Sequence, residues 1–224
     1  MGHIVNARKD LPKFLVCLAV LVLAIGFLTS YNTWQSNNKE VKKVKKAISE
    51  ANHGIDNGVP NTVKVTTAEF NSYHVPADNP RYIFIPKIGV KSIILPLGTT
   101  TGNQIAVPAS IYAAGWYNLS SLPGKSGAML IYGHVSSWST PGIFYNLKNL
   151  VPGDKIEVEQ GNDLLYTYTV VKTVVYNYQN VDMNAVLKPV ISGKPGLNLV
   201  TCTGSVIESL HEFSQRLVVF ASEK

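Results

Sequence analysis

The sequence predicts an all-β domain with short helices, carried behind one N-terminal transmembrane helix. Two observations predict this. From Arg81 onward, short apolar strands alternate with turn residues; before them lies an uninterrupted apolar run, Phe14 to Leu28. Many short strands with turns between them suggest a closed barrel, which also hides strand edges. The chain has 224 residues, enough for one sizeable domain plus appendages.

The run Phe14–Leu28 continues weakly through Thr29 to Trp34. At about 1.5 Å per residue, the segment with its flanks reaches across about 30 Å of hydrocarbon. Arg8, Lys9 and Lys13 precede it, so the positive-inside rule places the N-terminus in the cytoplasm and the rest outside. Tyr31 and Trp34 suit the outer aromatic belt. No small-x-small cleavage site follows Leu28 before Tyr31, which favours an uncleaved anchor over a signal peptide. Residues 1–34 are therefore read as cytoplasmic tail and signal-anchor.

Residues 35–80 are read as a juxtamembrane helix and linker. Val41, Val44 and Ile48 form a thin apolar stripe within Lys39–Ala51. Residues 52–80 are rich in Asn, Gly, Asp and Pro, with one weak strand expected around Val63-Lys64-Val65. Formal net charge is +6. Residues 1–50 hold eight Lys/Arg against three Asp/Glu, and the remainder twelve against eleven. The folded part is thus nearly neutral, unlike a nucleic-acid binder, whose basic patch sits on the domain.

The barrel, residues 81–224, is read strand by strand. Tyr82–Ile85 and Val90–Leu95 flank Pro86-Lys87-Ile88-Gly89. Ala128–Tyr132 is a short apolar strand ending at Gly133-His134. Lys155–Glu159 alternates, Gly161-Asn162 supplies a hairpin turn, and Leu164–Tyr176 is long and rich in Tyr, Thr and Val. Met183–Leu187 suits one or two helical turns. Leu197–Thr201 and Arg216–Ala221 are the last strands.

Two cysteines, Cys17 and Cys202, provide neither zinc-ligand spacing nor a disulfide scaffold. Cys17 falls in the predicted span and Cys202 in the external domain, so they cannot pair within one chain. Buried structural cysteines are common. An unpaired thiol on the oxidising side of a membrane, however, is a liability unless it has a use. Cys202 is expected where strand Leu197–Thr201 opens into the loop Thr203-Gly204-Ser205, a rigid mounting for a nucleophile.

A thiol nucleophile needs a base or cationic partner and a donor for the oxyanion it creates. His53 and His74 fall in the linker, and His211 in a polar loop. His134, like Cys202, follows a buried strand, and in a barrel the two can share one rim. Beyond the linker there are two arginines, Arg81 before the first strand and Arg216 opening the last. Arg216 shares a face with Val218 and Phe220, where a guanidinium needs a partner or an anionic ligand.

Gly133-His134, Leu199-Val200-Thr201-Cys202 and Gln215-Arg216, in that order, resemble the signature of the sortase family. The resemblance covers roughly Tyr82 to Ala221. Ala114-Gly115-Trp116-Tyr117, Gly142–Leu147 and Pro152-Gly153-Asp154 look like class E/F-type members. One residue departs: the family's strand motif usually begins with Thr, and here that position is Asn198. The resemblance implies an eight-stranded barrel and cysteine transpeptidation at a C-terminal LPxTG-like sorting motif. It implies Cys202 as nucleophile, His134 as general acid then base, Arg216 as holder of substrate backbone or oxyanion, and Thr201 as a substrate-positioning residue. Sorting-signal-bearing surface proteins would be donors, and a cell-wall precursor or pilin would supply the amine. These groups require no metal or other cofactor. Two alternatives use the same features: an anchored thiol hydrolase without transfer, and a non-enzymatic wall-binding barrel with an inert Cys202.

Overall fold

A computed structural model describes residues 62–100, 104–137 and 140–224, together with Gly26, Leu28 and Thr29. The predicted span, the juxtamembrane helix, Cys17 and His53 lie outside the described residues, apart from Gly26, Leu28 and Thr29, which are helical. No helix among the described residues is long and apolar enough to cross a membrane.

Eight strands close into a barrel. They are β1 (Pro80–Ile85), β2 (Val90–Leu97), β3 (Ala114–Tyr117), β4 (Ala128–Tyr132), β7 (Lys155–Gln160), β8 (Leu165–Asn177), β9 (Gly196–Ile207) and β10 (Glu212–Glu223), in the spatial order β1-β2-β3-β4-β9-β10-β8-β7. Closure leaves no free edge along the barrel, as the strand pattern predicts. A two-stranded ribbon, β5 (Ser136–Ser137) and β6 (Thr140–Pro141), lies outside it. The expected turn at Gly161-Asn162 joins β7 to β8, and the expected helical turn is α2, Met183–Val186.

The barrel interior takes one parity of each strand. Ile83 and Ile85 of β1, Met129 and Ile131 of β4, Leu197 and Leu199 of β9, and Leu217 and Val219 of β10 pack there with Phe144 and Tyr168. Full burial of side chains of this size stabilises by about 1.5–3 kcal/mol each. Tyr168 remains satisfied because its hydroxyl accepts from Gly124 N at 3.0 Å. The opposite parity of β4, β9 and β10 forms a second apolar layer on the outer wall, with Leu130, Val200, Val218 and Phe220 beneath Val186 of α2.

Asn198 sits at the centre of that outer layer and is fully buried. Its Nδ2 donates to Val186 O at 2.7 Å and to Lys188 O at 3.0 Å. The residue that departs from the family's threonine therefore ties the end of α2 to β9 with two donors, where a hydroxyl has one. Asn198→Ala strands two carbonyls beside an apolar layer. The expected loss is about 1–3 kcal/mol, read as a Tm lowered by several degrees; an unchanged Tm contradicts the strut.

The stretch expected to be linker carries α1, Thr67–Ser72. Thr66 and Glu69 form a capping box, with Thr66 Oγ1 accepting from Glu69 N at 3.2 Å and Glu69 Oε2 from Thr66 N at 2.8 Å. Phe70 stacks on Tyr82 of β1 at 4.3 Å between centroids. The Tyr73 hydroxyl donates to Ile94 O at 2.7 Å. The strand expected at Val63–Val65 does not form, because no ladder takes up this segment.

Candidate active site

β4 and β9 run parallel and adjacent, in register from Ala128↔Gly196 to Tyr132↔Val200. The pairing continues past the end of β4. Gly133 N donates to Val200 O at 3.1 Å, and Thr201 Oγ1 donates to Gly133 O at 2.8 Å. The next residue in line with His134 is Cys202. On the other side, Arg216 of β10 pairs directly with Cys202. Cys202 and Arg216 thus face each other on neighbouring strands about 5 Å apart, and His134, two residues past the end of β4, follows the same alignment on the other side of Cys202.

The site comes together from residues 82 positions apart because parallel β4–β9 and antiparallel β9–β10 pairing fix it twice over. A slip of one residue in either pair would turn its side chain to the opposite face. Cys202 shares its parity with Asn198 and Val200, so the site lies on the outer wall at the barrel's end.

Local packing sets His134. Gly133 accommodates the buried Phe144 ring; a Cβ there would meet Phe144 Cδ2 at 2.5 Å. Phe144 N donates to His134 O at 3.0 Å, holding the peptide from the other side. The ring Nε2 lies 2.6 Å from Pro108 O. A carbonyl only accepts, so this bond places the neutral ring's proton on Nε2 and leaves Nδ1 as its acceptor. Burial pushes His134 below its ordinary value, and the Pro108 bond partly opposes this. Burial pushes the half-buried Cys202 thiol up; Arg216 counteracts that and Glu212 adds to it. At neutral pH the resting pair is thiol and neutral imidazole.

Arg216 is held from its own strand. Nη1 donates to Phe213 O at 2.9 Å and Gln215 O at 3.0 Å, and Nη2 to Glu212 Oε1 at 2.5 Å. The guanidinium lies 5.9 Å from the centroid of Tyr178. Three of its five N–H groups are engaged, which leaves Nε–H and one Nη2 hydrogen. Arg81, by contrast, pairs with Glu159 and Asp163 and has a structural task on β1.

Two expected positions need correction. Cys202 does not end its strand: β9 runs on to Ile207, because β10 continues to pair with it after β4 has stopped. Arg216 does not open its strand, which begins at Glu212. The turn residues Thr203–Ser205 instead mark a bulge. Gly204 and Ser205 together oppose Ser214, and Gly204 takes φ +83°.

Thr201 is buried and spends its hydroxyl on Gly133 O, so it braces the peptide before His134. It also lines an open groove of about 200 Å³ at the barrel mouth, with Cys202, Thr203, Phe213, Ser136 and Lys148. His74 is exposed, with Nδ1 2.6 Å from Ser72 O, and His211 is exposed in the β9–β10 turn, so neither joins the site. Among the described residues, no cluster of His, Cys, Asp and Glu is placed to hold a metal ion. Sequence reasoning missed Pro108 and Glu212. Phe144 was within reach, since it stands in the segment Gly142–Leu147.

A thiol flanked by an imidazole and a guanidinium on one rigid sheet is what nucleophilic acyl transfer requires. Residues 83–224 match the family model of the sortase domain, and the chain belongs to the sortase family, whose members are cysteine transpeptidases. Solved structures share the fold. Sortase C-1 from Actinomyces oris is 20% identical, with 84% of this chain and 98% of that one covered at a TM-score of 0.51. Sortase C1 from Streptococcus agalactiae is 24% identical, with 84% and 90% covered at 0.51. The pilus-related sortase C of Group B Streptococcus is 21% identical, with 84% and 88% covered at 0.50. No curated protein sequence matches the chain.

Proposed function

We propose that this sortase is anchored in the cell membrane by a single span, with its N-terminus cytoplasmic and its barrel outside. It cleaves a C-terminal LPxTG-like sorting motif of surface proteins and transfers the acyl group to an amine of a cell-wall precursor or pilin. The observation that carries the reading is the placement of Cys202 on β9 between its pairing partner Arg216 of β10 and the segment that leads from β4 into His134.

In the proposed reaction, Cys202 Sγ, as thiolate, attacks the carbonyl carbon of the motif's threonine. The tetrahedral oxyanion receives the two unengaged N–H groups of Arg216. The C–N bond breaks as the imidazolium of His134 protonates the leaving amine, giving a thioester. The acceptor amine then attacks the thioester, His134 takes its proton, and the C–S bond breaks to restore the thiolate. Thr201 contributes by fixing the Gly133–His134 peptide and by lining the groove beside the nucleophile. The segments Ala114–Tyr117, Gly142–Leu147 and Pro152–Asp154 support a class E/F-type subclass.

The test is product analysis on a sorting-motif peptide with and without an added amine. Amide product with amine is expected; release of free acid alone in both cases selects the hydrolase, and no cleavage of any motif in a peptide library removes the enzyme reading. For the anchor, protease added to intact cells is expected to remove the barrel and leave a small membrane fragment. A mature protein beginning beyond Trp34 contradicts it.

A further inference from the structure

We infer that Glu212 is a positioning residue for Arg216, holding its guanidinium beside Cys202. The inference rests on the proposed role of Arg216 and adds a further side chain to the site.

Glu212 and Arg216 stand four residues apart on β10, about 13 Å along a straight strand. Both side chains extend to meet over Ser214, and the Glu212 Oε1–Arg216 Nη2 bond is 2.5 Å. Two features of the ribbon permit this. Ser214 is small and turns to β9, its Oγ accepting from Ser205 N at 3.1 Å. The bulge of Gly204 and Ser205 opposite Ser214 bends the ribbon there. Gly204 is fitted to that bend: a Cβ would meet Ser214 Oγ at 2.5 Å, at a φ unfavourable to other residues.

The carboxylate acts with two main-chain oxygens. Phe213 O and Gln215 O take both Nη1 hydrogens and Glu212 takes one from Nη2, so three acceptors fix a planar group that would otherwise swing on a flexible stem. What remains, Nε–H and one Nη2–H, has its direction set by this clamp. Arg216 and Glu212 both act electrostatically on Cys202, with opposite signs. Glu212 therefore makes the thiol harder to ionise while aiming the donor that serves the oxyanion. A residue selected only to activate the thiol would not be a carboxylate.

The test is kinetics of Glu212→Gln, Glu212→Asp, Arg216→Lys and the double variant Glu212→Gln/Arg216→Lys on a sorting-motif peptide, with iodoacetamide alkylation of Cys202 alongside. For Glu212→Gln, kcat is expected to fall about 10–100-fold with KM within about twofold, while alkylation is unchanged or faster. Glu212→Asp is expected to recover part of the loss. In the Arg216→Lys background, Glu212→Gln is expected to add nothing further. Parental kcat in Glu212→Gln, a rise in KM alone, slower alkylation, or independent losses in the double variant would each overturn the inference. If Arg216→Lys itself shows parental kinetics, the role of Arg216 fails first and this inference falls with it.

Discussion

Cys202→Ala is expected to abolish turnover, and His134→Ala to lower it by roughly 10²–10⁴-fold, with both variants folded. The folding half of this expectation follows from placement. Cys202 and His134 are half-buried at the barrel's end, outside the interior formed by residues such as Leu199 and Ile131. Removing Sγ leaves no other thiol among the described residues. Removing the imidazole deletes the group proposed to move a proton to and from the amine, and frees Pro108 O. Circular dichroism and Tm distinguish loss of chemistry from loss of fold; substantial turnover in Cys202→Ala removes the nucleophile assignment.

The pH profile of kcat/KM follows from the same burial. With imidazolium and thiolate both required, the productive form carries one proton fewer than the acid form and one more than the alkaline form, so the two limbs report the first and second proton losses of the pair as macroscopic values. Burial lowers His134 and raises Cys202 from ordinary values of 6.5 and 9.0. The productive form is then the minority protonation state. The bell keeps its shape because a neutral pair and an ion pair carry the same number of protons. Its lower apparent value is expected below 6.5 and its upper above 9.0, a plateau broader than for an exposed pair. A plateau narrower than that interval contradicts the burial argument.

The strands that alternate or run apolar were legible: β4 was read with its observed bounds, and β1, β2, β7 and β8 to within a few residues. β3 was not read as a strand, because Ala114-Gly115-Trp116-Tyr117 is four residues with a glycine inside and owes its conformation to pairing with β2 and β4. α1 is six residues whose signal is the Thr66–Glu69 capping box, and its placement depends on stacking Phe70 against Tyr82. Cys202, His134 and Arg216 were named from residue chemistry and motif order; their alignment depends on register, which no local pattern encodes. Glu212 stayed hidden because a glutamate four residues before an arginine signals a pair on a helix, whereas on β10 the pair depends on a small residue and a bulge. The anchor is a prediction of hydropathy and charge on residues of which only Gly26, Leu28 and Thr29 are among those described.

Arg216→Lys is expected to lower kcat by about 10²–10³-fold with a modest change in KM, although it conserves charge. The guanidinium is planar and presents five N–H groups in fixed directions, three of them held by Glu212, Phe213 O and Gln215 O. Because those three bonds fix the plane, the remaining donors are oriented before substrate arrives and cost no reorganisation when the oxyanion forms. A lysine ammonium has three hydrogens on a freely rotating head. Engaging the same three acceptors exhausts them, and serving the oxyanion means abandoning one. The variant must therefore choose between being positioned and being useful, which lowers stabilisation of the transition state more than binding of the ground state. Stability should change little: Arg216 is partly exposed, and a half-exposed ion pair contributes about 0–1 kcal/mol. The measurement is kcat and KM on a sorting-motif peptide beside thermal unfolding. A raised KM with kcat intact makes Arg216 a uniform substrate clamp. A lowered Tm with normal kinetics makes it a strut of the β9–β10 ribbon, and parental values throughout remove it from the site.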